Sequence, residues 1–293
     1  MNYQIENEQL IITASSRGAE LISIISKKSG TEYLWQGKSE RWEGKSPVLF
    51  PIIASVENDQ YRVGDNVYHL GLHGFAMHKN FRFVRKKHDS LGFSLDFDED
   101  TIKVYPFKFT LEVTYVLKDN SIQTIYTVTN VDDKPIWFCM GGHPTFACPL
   151  DENLNFTDYH LKFEQKETAP RHLMTGPLMN GKTEPFLDNQ DEIPLSKSLF
   201  KENAVILKNL KSKWIDLLSS KDSKQVRLSI DGFPHLGIFS YAESEEDKYI
   251  CVEPWHGIPG VKGKEKDFRL KEGIIELQPN RAYTMDFSIT IFD

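Results

Sequence analysis

Apolar and polar positions alternate with a period of two along most of this chain, most clearly between residues 81 and 130. There Leu91, Phe93, Leu95 and Phe97 alternate with Gly92, Ser94 and Asp96. Phe107, Phe109, Leu111, Val113, Tyr115 and Leu117 alternate with Lys108, Thr110, Glu112, Thr114 and Val116. After an Asp119-Asn120 turn, Ile122, Thr124, Tyr126 and Val128 alternate with Gln123, Ile125, Thr127 and Thr129. Successive side chains of a strand point to opposite faces, so this pattern predicts antiparallel sheet packed mainly on one side. Shorter strands are predicted at 9–12, 19–24, 32–35, 135–140, 204–207, 214–218, 225–230, 233–240 and 249–253, with a final strand at 283–291. Residues 61–69 read as a hairpin turning at Gly64-Asp65 or Asp65-Asn66. The apolar run 48–54 contains Pro51, which argues for a buried edge segment rather than a central strand. Residues 150–200 are polar and rich in proline and glycine, which predicts long ordered loops with short strands and a helical turn near 195–201. No segment sustains a helical period. The expected fold is all-β, a large antiparallel β-sandwich, and with no linker composition it is expected to form a single domain over residues 1–293.

Composition narrows the class of partner. A net charge of −7 argues against a nucleic-acid backbone or an anionic membrane surface as the main partner. Cys139, Cys148 and Cys251 are an odd number at unrelated spacings, neither a disulfide framework nor a zinc pattern. The first residues lack the basic start and apolar core of a signal peptide, and no apolar run is long enough to span a bilayer. These features predict a cytoplasmic protein.

Two sites stand out chemically. His143 follows Gly141-Gly142 and precedes Pro144, so the backbone around an ionisable imidazole is tightly framed. Glu253 ends an apolar strand and is followed by Pro254-Trp255; a glutamate there is either functional or a buried structural pair. His73, beside Gly74, serves equally well as a structural histidine bonded to backbone. Trp35, Trp42, Phe75, Phe146 and Trp255 suit a platform for the apolar face of a sugar, or the core. A metal site from His73, His143 and His256 is disfavoured, since no close histidine spacing suggests a ligand set.

The segments His73-Gly74-Phe75-Ala76, Gly141-Gly142-His143-Pro144-Thr145-Phe146 and Glu253-Pro254-Trp255-His256-Gly257 occur in an order that resembles the galactose mutarotase-like family, the aldose 1-epimerases. Phe50-Pro51-Ile52-Ile53 and Phe233-Pro234-His235-Leu236-Gly237-Ile238 are similar to its LacX-like branch, and the resemblance covers nearly the whole chain. It implies a concave sheet face that binds a monosaccharide, with galactose or glucose as candidate hexoses, and interconverts its anomers with no metal, nucleotide or redox cofactor. By this resemblance Glu253 is the general base at the C1 hydroxyl and His143 the general acid at the ring oxygen. His73, Ser55, Asn203, Trp255 and Phe146 contact substrate. Either a monomer or a homodimer is compatible with it. A glycosidase would need two carboxylates flanking the bond, and one well-framed carboxylate is present.

The chain also departs from the family pattern. Ser55 and Met77 stand where relatives often carry an arginine, and Asn203 matches a sugar-binding aspartate. Each change removes a charge-assisted hydrogen bond to the sugar. These departures keep a second reading in view, a carbohydrate-binding or regulatory protein on the same scaffold with weak or lost catalysis.

Overall fold

A computed structural model of the protein describes residues 1–241, 247–264 and 267–293. The expected all-β sandwich is present. Its centre is a 15-stranded antiparallel sheet that runs from Val48–Leu49 at one edge to Arg82–Lys86 at the other. The alternating stretch forms four neighbouring strands of this sheet, Arg82–Lys86, Ser90–Asp96, Phe109–Lys118 and Ser121–Asn130. The last strand, Ala282–Phe292, pairs with Ser121–Asn130 over nine residues, so the end of the chain is sewn into the middle of the sheet. A three-stranded sheet, Asn2–Glu6, Leu10–Ser15 and Leu21–Ser26, carries the first alternating segments. One hydrophobic core draws on residues from Ile5 to Ile291.

Two expectations need correction. The region 150–200 is not mainly loop. His160–Thr175 and Leu178–Pro194 are long paired strands that turn at Gly176, with four register shifts along their length. Two of the inward positions of the first strand are charged, Glu167 and Arg171, and both are buried. Glu167 accepts hydrogen bonds from Lys211 N at 2.9 Å, Ser212 N at 2.6 Å and Ser212 Oγ at 2.7 Å. Arg171 donates from Nη2 to the carbonyl of Asn203 at 2.9 Å. The bulges and these buried charges erase the apolar alternation that marks strands elsewhere. Second, residues 32–35 form isolated bridges rather than a strand.

Among the described residues one short α-helix, Glu99–Val104, interrupts the sheet. It is too short to show a period, but its N-terminus carries a reciprocal cap between Asp98 and Thr101. The expected hairpin is formed by Gln60–Val63 and Asn66–His69, and the expected helical turn by Lys197–Phe200. The run from Val48 is buried throughout, and contributes only the two-residue edge strand Val48–Leu49. No helix among the described residues is long and apolar enough to cross a membrane.

Candidate active site

The site is built on one strand, Tyr249–His256, which lies between Met140–Gly142 and His235–Phe239. Its even-numbered residues Ile250 and Val252 enter the main core. Its odd-numbered residues Cys251, Glu253 and Trp255 therefore share the opposite face. The indole of Trp255 fills a slot made by glycines on both neighbouring strands. A Cβ on Gly237 would lie 2.3 Å from the Trp255 ring, and one on Gly141 would lie 2.6 Å from its Cδ1. Thus Gly141, which in sequence appears only to free the backbone before His143, is required to admit the tryptophan next to the glutamate. Gly142 similarly makes way for Phe287.

His143 is brought to Glu253 by the chain that follows Met140–Gly142. Its N–H donates to Pro47 O at 3.1 Å, and Thr145 N donates to Lys45 O at 2.8 Å. The loop thus held supplies Trp42, whose ring stacks on the His143 imidazole with centroids 4.6 Å apart and planes 20° apart. Trp42 is itself fixed, donating from Nε1 to Thr145 Oγ1 at 3.2 Å. His143 Nε2 lies 3.3 Å from Glu253 Oε2, and both side chains are about 95% buried or more, with exposures of 5% and 3%. The two residues are 110 positions apart in sequence, and the pairing of Met140–Gly142 with Tyr249–His256, together with the loop contacts, sets them side by side.

His73 sits edge-on to His143, with ring centroids 5.3 Å apart. Its backbone is left-handed, φ 60°, a conformation that a non-glycine residue adopts at some strain and that clusters at functional positions. The surrounding contacts hold it there. His73 N donates to Ala54 O at 2.6 Å, and Ala54 N donates back to His73 Nδ1 at 3.1 Å. An Nδ1 that accepts leaves the proton of the neutral ring on Nε2, so His73 is a fixed hydrogen-bond donor. Burial pushes its pKa down to about 4, which keeps it neutral in this role.

The same burial acts on the central pair. It raises Glu253 well above the usual carboxylate range, with Trp255 nearby opposing the shift. It lowers His143 well below the usual imidazole range, and the neighbouring His73 adds to this. Both shifts favour the uncharged forms of the two groups. His143 Nδ1 is buried without a hydrogen-bond partner among the described residues. Buried polar atoms normally find partners, so this nitrogen marks a place that suits a polar ligand.

The remaining expected site residues divide. Ser55 is buried one residue beyond Ala54, and its carbonyl accepts from Gly260 N at 2.8 Å. This puts it next to the backbone that holds His73. Phe146 is not part of the site. It pairs with Ile250 and packs into the main core, because it lies on the opposite face from Thr145. Asn203 is also committed elsewhere. Its Oδ1 accepts from Ala204 N at 2.7 Å and its Nδ2 donates to Gly176 O at 3.0 Å, bracing the tip of the long hairpin. Met77 lies half-buried in a short turn, its backbone against Gly18. His256 faces away, with Nδ1 3.1 Å from Tyr283 Oη and its ring edge-on to Phe233, so a cluster of His73, His143 and His256 does not form. Sequence reasoning missed Cys251, whose ligating atom lies with those of His143 and Glu253 within 4.8 Å of one another. The two-residue spacing between Cys251 and Glu253 on one strand was the available signal.

Comparison with known proteins agrees with this geometry. The family model for aldose 1-epimerase matches residues 1–271. The chain is 34% identical over 302 residues to protein LacX, chromosomal, of Lactococcus lactis subsp. lactis, with both sequences covered in full. Among solved structures, a galactose mutarotase related enzyme from Lactobacillus acidophilus superposes with a TM-score of 0.95 at 32% identity, covering 100% of this chain and 98% of that one. A galactose mutarotase-like protein from Lactobacillus casei gives 0.92 at 32% identity, covering 99% and 100% respectively. With a family model that matches residues 1–271 and a relative 34% identical over the full length, the chain belongs to the aldose 1-epimerase family.

Proposed function

We propose that this protein interconverts the α and β anomers of a hexose, with Glu253 and His143 as the proton-transfer pair and without a cofactor. The observation that carries the reading is the 3.3 Å approach of His143 Nε2 to Glu253 Oε2 in a buried site. Opening a cyclic hemiacetal removes a proton from the C1 hydroxyl and delivers one to the ring oxygen. Those two oxygens share one carbon, so the base and the acid that serve them must lie side by side. A pair holding a single proton meets the count. Burial favours its uncharged form at rest. A C1 hydroxyl donating to Glu253 and a ring oxygen accepting from His143 select the carboxylate–imidazolium form.

The steps then follow. Glu253 takes the hydroxyl proton as the C1 carbonyl forms. The bond between C1 and the ring oxygen breaks, and His143 protonates that oxygen. Rotation about C1–C2 and reclosure on the other carbonyl face, with the protons returned, gives the other anomer. Each group contributes about 10²–10⁴-fold, or roughly 3–5 kcal/mol of barrier. The Nε2–H of His73 donates a hydrogen bond to the sugar oxygen next to His143. Trp255 and Trp42 pack beside the pair and help to exclude water from it. We assign the whole of residues 1–293 to one domain, and three cysteines at unrelated spacings suit a reducing, cytoplasmic compartment.

Polarimetry tests the reading. Freshly dissolved α-glucose and α-galactose should relax to equilibrium faster with the protein than in buffer. No acceleration across a panel of hexoses and their phosphates, together with saturable binding of one of them, would instead establish the carbohydrate-binding reading that Ser55 and Met77 favour.

A further inference from the structure

Cys251 has no part in the proton transfer described above, yet it lies on the same face of the same strand as Glu253. It is fully buried, and its Sγ is 3.5 Å from Thr145 Oγ1. One thiol, one imidazole nitrogen and one carboxylate oxygen thus converge, each within 4.8 Å of the others. Beyond its 3.3 Å approach to His143 Nε2, Glu253 Oε2 has no hydrogen-bond partner among the described residues, and its side chain is 97% buried, from an exposure of 3%. A buried carboxylate oxygen so placed suits a ligand held by this cluster.

We propose that Cys251, His143 and Glu253 form a binding site for a thiophilic divalent transition metal, of the zinc class, and that occupancy silences the proton-transfer pair. The inhibitory half of this proposal rests on the anomerase reading; the binding half does not.

The geometry fits the ion. Nitrogen and oxygen ligands about 2.0–2.1 Å from a tetrahedral zinc lie about 3.3–3.4 Å apart. The His143–Glu253 separation is 3.3 Å. With zinc–sulfur bonds of about 2.3 Å, the edge from sulfur to nitrogen is about 3.6 Å, and since the three ligand atoms lie within 4.8 Å of one another, a shift of the sulfur by about 1.2 Å or less completes three corners. The fourth corner stays open to water or an anion. A sulfur, nitrogen and oxygen set of this kind selects zinc, cobalt or cadmium over magnesium or calcium, which take oxygen ligands. On binding, the thiol and the carboxylic acid each release a proton to solvent, and the ion takes the place of the charge they held. The imidazole and carboxylate are then committed to the metal and no longer exchange protons with a sugar.

The test begins with chelator-treated full-length protein. Cobalt(II) chloride is added and the absorption spectrum recorded, then zinc chloride is titrated by calorimetry. The expected result is a near-ultraviolet thiolate-to-cobalt charge-transfer band with tetrahedral d–d absorption, and one zinc bound per chain. Cys251→Ala should weaken zinc binding at least tenfold and abolish the band. Absence of the band in the wild-type protein overturns the proposal, whether or not the variant folds. So does unchanged zinc affinity in a Cys251→Ala protein that keeps the wild-type circular dichroism spectrum. The rate of anomer exchange, measured separately, should fall on zinc addition and recover with EDTA. A zinc-saturated protein with its full rate overturns the inhibitory role. A protein with no exchange activity but a clear cobalt band refutes the anomerase reading and leaves the metal site standing.

Discussion

Gly237→Ala should destabilise the protein through a single contact. The added methyl would lie 2.3 Å from Cη2 and Cζ2 of Trp255 and 3.0 Å from its Cε2, so the indole or the strand must move. Overpacking of this kind costs about 1–3 kcal/mol. The alanine also stiffens the unfolded chain, which returns about 0.4–1 kcal/mol. The net loss expected is therefore about 1–2 kcal/mol, read as a lower midpoint in urea at unchanged slope. A built-in control exists at Gly71, where φ is outside the left-handed region and a Cβ meets nothing within 4 Å. Gly71→Ala should leave stability unchanged or raise it by up to about 1 kcal/mol. The decisive arm is a double-mutant cycle. Trp255→Phe removes the ring atoms that the new methyl would strike, so Gly237→Ala in that background should lose little or nothing. The difference between backgrounds measures the contact itself. Equal losses in both, or wild-type stability for Gly237→Ala alone, would show that the glycine is not there to admit the indole.

Other outcomes follow from the same structure. Glu167→Ala removes the acceptor of three hydrogen bonds from Lys211 and Ser212, and should lower unfolding free energy by about 3 kcal/mol or more; Glu167→Gln, which keeps a carbonyl oxygen, should lose much less. His235 is buried and its pKa is pushed down from 6.5 to about 4, chiefly by burial. Its imidazole charges in the unfolded chain first, so stability should fall as pH drops from about 6.5 to about 4, by roughly 3 kcal/mol from this group. His235→Gln should flatten that part of the stability–pH curve, and an unchanged slope would contradict the burial argument. His73→Ala should slow anomer exchange while its Nε2–H donor is missing, and His73→Gln, with an amide donor, should recover part of the rate.

Much of this molecule is legible in its sequence because a period of two is a direct image of a sheet with one buried face. Residues 90–96, 109–118 and 121–130 show it cleanly, and each is a strand. The long hairpin from His160 to Pro194 was hidden because Glu167 and Arg171 occupy inward positions and are satisfied by backbone groups far away in sequence. The helix at Glu99–Val104 is shorter than the two turns a period needs. At the site, the framing of His143 by glycines and proline pointed to the right segment. The reason for Gly141 did not, because the tryptophan it accommodates arrives from more than a hundred residues later. Phe146 and Asn203 show the limit of motif reading: one faces the core and the other braces a turn, and only the register decides which.

The most direct measurement is the exchange rate between α and β anomeric proton signals of glucose or galactose at equilibrium, followed by NMR. The account predicts faster exchange with the wild-type protein, and a fall of about 10²–10⁴-fold for folded Glu253→Gln and for folded His143→Ala. A folded Glu253→Gln protein that exchanges anomers at the wild-type rate would contradict it.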